Sequence, residues 1–198
     1  MTVALLILIT LFQTLGYIRY VREIVHNTIR PNRWSWLIWS LTALVETLTY
    51  GAIVDDIYKT AAFFVSVIAC IVITILIWSK ATWEKPTKIE IFCTIVSIIA
   101  VVLWVKYDLA VWAHILITAV LPIAFIPSFQ DAWKDYKKED IYAWQFWSIG
   151  DILAIILVAT RYTDGPFEFP YAILEFTCHA IMWTAIAIRR YQHHRKIY

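Results

Sequence analysis

Apolar residues fill seven long runs, near 2–21, 34–54, 60–79, 88–105, 109–128, 142–161 and 169–189, and charged residues collect between them. At 1.5 Å of rise per residue each run crosses about 30 Å of hydrocarbon. The pattern therefore predicts seven transmembrane helices. The connections are short and leave no room for a soluble domain. Before the second run, Arg30-Pro31-Asn32-Arg33 reads as a helix entry, because proline disfavours helix in the residue before it and Asn32 can cap the N-terminus. No Lys or Arg precedes the first run and no small-residue cleavage site follows it, so this helix is expected to stay.

The charges add an orientation. Of the 17 Lys and Arg residues, fourteen fall at one side. Arg19, Arg22, Arg30 and Arg33 mark the first loop, Lys80, Lys85 and Lys88 the third, and Lys134, Lys137 and Lys138 the fifth. Arg189, Arg190, Arg195 and Lys196 mark the tail. Only Lys59, Lys106 and Arg161 fall in the other loops. Because positive charge stays cytoplasmic, the N-terminus is expected outside and the C-terminus inside.

The chain also repeats itself. Trp34–Ser40 (WSWLIWS) recurs as Tyr142–Ser148 (YAWQFWS), placing Trp36 on Trp144, Trp39 on Trp147 and Ser40 on Ser148. The same offset, without a gap, pairs Thr10 with Thr118, Asp56 with Asp164 and Cys70 with Cys178. Helices 1–3 then correspond to helices 5–7. A three-helix unit reverses sidedness, so the unmatched helix 4 is needed to place two units in parallel. The expected organisation is a first repeat at 1–80, a linker helix at 81–108, and a second repeat with a basic tail at 109–198.

Composition agrees with a membrane chain: 61% of residues are hydrophobic and only 16% charged, where a soluble domain carries roughly 25%. Cys70, Cys93 and Cys178 lie in apolar runs and read as buried small hydrophobes. No zinc spacing, P-loop or dinucleotide fingerprint occurs, and the basic clusters mark helix ends rather than a nucleic-acid stripe.

This 3+1+3 arrangement resembles the SWEET and PQ-loop transporters. Phe125–Trp144 (FIPSFQDAWKDYKKEDIYAW) is similar to the PQ-loop signature, with Pro127 matching its proline and Ser128 standing where the family has Gln. In the first repeat Arg19 occupies the equivalent position. Phe146–Ile156 (FWSIGDILAII) is similar to the Trp-x-x-Gly-Asp stretch of PQ-loop amino-acid exporters. Vitamin transporters of the PnuC type share the layout and the richness in tryptophan. The resemblance implies a seven-helix carrier with a central pathway.

Charged groups deep in hydrocarbon cost about 2.5–3.5 kcal/mol each, so each calls for a reason. Glu46 and Asp151 sit near the midplane of helices 2 and 6, one turn apart on equivalent helices, where a central cavity would see one acid from each side. Glu175 and His179 are four apart on helix 7, within reach of each other, and suggest proton coupling. His114 reads as a structural histidine. Trp36, Trp39, Trp144 and Trp147 suit either an interfacial belt or an aromatic wall for a solute, with Ser148 beside them. Trp78, Trp83, Trp104, Trp112 and Trp133 need only the belt. Pro122 and Pro127 mark a hinge in helix 5.

Together these features predict an all-α integral membrane protein of the plasma (inner) membrane. It is expected to carry a small polar organic solute (sugar, amino acid or vitamin) by alternating access through a site between helices 2, 3, 6 and 7. Its partners are the lipid bilayer and the solute, with no nucleic acid, metal or cofactor, and homo-oligomerisation is left open. A non-transporting receptor or scaffold is the alternative. An enzyme is disfavoured by the lack of a Ser-His pairing or an H-E-x-x-H, and an opsin by the lack of a lysine in helix 7.

Overall fold

The computed structural model describes residues 1–80 and 85–195; Trp83 and Lys196 lie outside them. It contains seven α-helices: α1 (Thr2–Val25), α2 (Arg33–Val54), α3 (Ile57–Lys80), α4 (Lys88–Tyr107), α5 (Ala110–Lys134), α6 (Ile141–Thr160) and α7 (Pro170–Arg195). A 3-10 turn at Tyr136–Lys138 precedes α6, and no strand occurs among the described residues. All seven helices are long and apolar enough to cross a membrane.

The helix ends differ from the hydropathy boundaries in an instructive way. α5 continues to Lys134 and α7 to Arg195, six residues past the predicted ends of each. Hydropathy marks only the hydrocarbon-crossing part, whereas Gln, Lys and Arg are good helix formers that carry the coil on into water. Pro122 and Pro127 both lie inside α5 without ending it. Each lacks the N–H that would bond the carbonyl four residues earlier, so α5 carries two weak points.

Polar caps set the starts and turns. Asn32 accepts from the backbone N–H groups of Trp34 (2.9 Å) and Ser35 (3.1 Å), as expected. Asp140 does the same for α6 through Ala143 (2.7 Å), and Thr87 and Glu90 form a capping box on α4. α2 and α4 end on Asp55 (φ 49°) and Asp108 (φ 55°). Aspartate is among the few side chains that tolerate this left-handed backbone.

In each group of three helices the third lies between the other two: α3 packs on α1 and α2, and α7 on α5 and α6. The groups meet along two seams, α1 on α6 and α2 on α5, which closes a six-helix ring. α4 stays outside, against α5 and α2. It packs there through small side chains, with Cys93, Ser97 and Ala100 all buried, so the backbones approach closely.

The distribution of side chains is inverted relative to a water-soluble protein. Val105 is 73% exposed and Ile68 64%, while Glu46 and Asp151 are each 2% exposed. Large outward apolar surface and inward polar groups are what hydrocarbon solvent selects. The chain is built as an integral membrane protein.

Candidate functional site

The paired W-x-x-W motifs come together. Trp36 and Trp39 meet edge to face at 5.1 Å, and Trp144 and Trp147 at 4.9 Å. Between α2 and α6, across the middle of the six-helix ring, Trp36 meets Trp147 at 6.1 Å and Trp39 meets Trp144 at 5.9 Å. The four indoles thus close a ring whose opposite sides match in length. All are buried, so none serves in an interfacial belt. That duty fits Trp78, Trp112 and Trp133, which are exposed near helix ends. Tyr17 backs the ring at Trp147 (4.9 Å) and Phe125 backs it at Trp39 (4.6 Å). α1 can approach only because residue 16 is glycine: a Cβ there would fall 2.5 Å from Trp147 Nε1.

On one side of this ring, toward the middle of the helices, lies a cavity of about 40 Å³, room for about three water molecules. Every helix except α4 contributes to its wall. The wall is therefore wider than predicted, since Tyr17 of α1 and Ile117, Leu121 and Phe125 of α5 join residues of α2, α3, α6 and α7. The predicted residues Trp36, Trp39, Glu46, Trp144, Trp147, Glu175 and His179 all line it.

Three expectations need correction. Asp151 does not face the cavity: its carboxylate accepts Gln13 Nε2 at 2.9 Å and pairs with His179 Nδ1 at 2.6 Å. The acid presented opposite Glu46 is Glu175 instead. His179 and Glu175 share a helix face, but the imidazole takes Asp151 as its partner, and Glu175 accepts Tyr171 Oη at 3.5 Å. Ser148 is turned into its own helix and donates to the Trp144 carbonyl at 2.8 Å. Ser40 makes the corresponding bond to Trp36 at 2.9 Å.

Glu46 is held by one oxygen only. Thr118 Oγ1 donates to Oε1, and Oε2 has no hydrogen-bond partner among the described residues. His114 Nδ1 lies 3.7 Å from Oε1 and pairs with Thr49 Oγ1 at 3.2 Å. His114 is buried, as expected of a structural histidine. Pro122 and Pro127 sit one on each side of Phe125 in α5.

Both ends of the cavity are shut by contacts between the two groups of helices. At the α1–α2 end, below the tryptophan ring, Arg19 donates to both oxygens of Asp140 at 2.8 and 3.0 Å. Arg19 thus lies within α1 and latches it to the start of α6, where the sequence reading placed it in a loop. Glu139 accepts Tyr20 Oη at 2.7 Å and Trp144 Nε1 at 3.0 Å. At the opposite end Tyr50, Phe63 and Tyr171 form a second aromatic lid, with Phe63 and Tyr171 only 4.6 Å apart. Beyond it Lys59 pairs with Glu168, and Arg161 Nε pairs with Asp56 at 2.8 Å. Glu139 and Glu168 were not singled out from sequence, and Arg19 and Lys59 were read as charges marking loops; a latch between distant segments leaves no periodic signal.

Glu139 gives the α1–α2 end a pH dependence. Burial raises its pKa to about 7, the nearby carboxylates of Asp131 and Asp140 add to this, and the Tyr20 and Trp144 donors offset it in part. The folded state holds this proton more tightly than the unfolded one, so Glu139 subtracts stability as pH rises from about 4.5 to 7. Glu139→Gln is expected to flatten the fall in unfolding free energy over that window, by up to about 3 kcal/mol. Thermal scans of the two proteins at pH 5 and pH 8 check it, and equal slopes would exclude Glu139 as the titrating latch.

No family model, characterised protein or solved structure matches this chain.

Proposed function

We propose that the protein is a membrane carrier for a small polar organic solute, working by alternating access. The observation that carries this reading is the closed cavity: both three-helix groups wall it, and contacts between the groups seal it at each end. Separating the groups at one end while keeping the other latched would expose the cavity to one side of the membrane at a time.

Several features support the duplicated architecture behind this mechanism. The 108-residue offset relates Trp36 and Trp39 to Trp144 and Trp147, and the ring distances match in the same pairs. It also relates Tyr17 to Phe125, which back equivalent indoles. The α1–α6 and α2–α5 seams exchange under the same relation. Two parallel repeats joined by α4, with the N-terminus outside and the basic α1–α2 end cytoplasmic, account for both geometry and charge. The layout resembles the SWEET, PQ-loop and PnuC-type carriers, and a plasma (inner) membrane suits it. The His179–Asp151 pair beside Glu175 is the place where proton coupling would act.

Counterflow in proteoliposomes tests this. A mixed panel of labelled sugars, amino acids and vitamins is expected to show saturable exchange, reduced at least tenfold by Asp151→Asn in folded protein. Absence of counterflow for every solute, with the protein folded, would favour a receptor or scaffold.

A further inference from the structure

The walls of the central cavity say what kind of solute suits it. Among the described residues two carboxylates reach it, Glu46 from α2 and Glu175 from α7, and no Lys or Arg lines it. The one group able to carry positive charge, His179, is already matched by Asp151. His114 stands behind Glu46 at 3.7 Å and lies outside the lining. A buried carboxylate oxygen without a hydrogen-bond donor is costly, and Glu46 Oε2 is such an atom, in a residue 2% exposed.

Around the acids stand aromatic rings set at steep angles. Trp36 and Trp39 are inclined at 74° and Trp144 and Trp147 at 89°. A sugar ring stacks best on a flat platform, whereas steeply crossed faces enclose a compact group from several directions. Electron-rich ring faces around a point, with carboxylates at hand, attract a cation desolvated from water. The cavity volume of about 40 Å³ fits a small head group rather than a whole hexose. Trp39 Nε1 is a further buried atom without a partner. It is a donor, and suits an acceptor oxygen carried elsewhere on the same molecule.

We infer that the solute is an organic cation: a compact ammonium group held between Glu46 and the aromatic walls, on a molecule that also bears a hydroxyl or carbonyl oxygen. This rests on the carrier reading only for transport; the binding chemistry stands on the cavity itself.

Choline and 3,3-dimethylbutan-1-ol differ by one charge at nearly equal shape, and serve as probes. Binding to the detergent-purified full chain is followed by the shift in unfolding temperature and by titration calorimetry. Choline is expected to bind at least tenfold more tightly than the neutral isostere, and Glu46→Gln to remove that preference. Glu175→Gln, a second isosteric change, keeps the test open should Glu46→Gln fail to fold, and is expected to weaken the preference in the same direction. Equal binding of the two probes, no binding of either, or a preference unchanged in both variants would overturn the inference. Counterflow of neutral solutes uninhibited by choline would sink the cation while sparing the carrier. Choline binding without flux of any solute would sink the carrier while sparing the cation site.

Discussion

Lys59→Met is expected to cost the folded protein about 3–5 kcal/mol, the largest effect of any single charge removal in this chain. Lys59 is fully buried, its ammonium meets Glu168, and Glu168 is itself 1% exposed. Removing the lysine leaves a carboxylate in a site shaped for an ion pair. Burial alone would raise the pKa of Glu168. The donors from Lys59, from the hydroxyl and backbone N–H of Thr163 and from the backbone N–H of Gly165 outweigh it and hold the group at about 2. Because that value is below the ordinary carboxylate range, the latch contributes stability above about pH 4.5 and loses it as pH falls through about 2. Thermal unfolding in detergent should show a large drop for Lys59→Met, a shallower acid dependence, and recovery of much of the loss in Lys59→Met with Glu168→Gln. No recovery in the double variant would mean that the lysine stem, rather than its charge, holds the lid.

Trp147→Ala should be nearly as damaging, at about 3–5 kcal/mol. Trp147 is 1% exposed and touches Tyr17, Tyr20, Trp36, Trp144 and His179. It is also the indole against which Gly16 packs, so the neighbouring backbone cannot readily collapse into the space. The alanine variant therefore opens the ring as well as weakening it. Cys70 lines the cavity and is buried. With Cys93 and Cys178 replaced by alanine, its thiol is expected to react slowly with a polar methanethiosulfonate in the parent and much faster in Trp147→Ala. Trp78→Ala, at an exposed helix end, should change neither reading by much. Unchanged Cys70 labelling in the opened ring would show that the indoles are not the barrier.

The seven helices were legible because hydrocarbon imposes one simple demand, length and apolarity, on every run. The tryptophans were legible as a group because their spacing repeats, and spacing survives in a linear string. What could not be read was which buried groups pair. Glu175 and His179 are four apart, so one helix brings them near each other. The shorter contact, however, goes from His179 to Asp151, on another helix and 28 residues away. Gln13, which fixes the other oxygen of Asp151, lies 138 residues from it, and a lone glutamine in an apolar run gives no hint of its partner. Arg19 was read as a topological charge because hydropathy cannot separate a cation that anchors a helix from one that latches two helices. Packing direction decides between those roles.

The two seams are sealed in different ways. Along α1–α6, glycines let the backbones press together: Gly16 meets Trp147, and a Cβ on Gly150 would fall 2.9 Å from Gln13 Nε2. The positions 108 residues away in α2 and α5 are Thr42 and Ala124, which carry the side chains that glycine lacks. That is the seam on which α4 lies. α4 therefore does more than connect α3 to α5. It is caulking, a strip laid from the lipid side over the joint that lacks those two glycines.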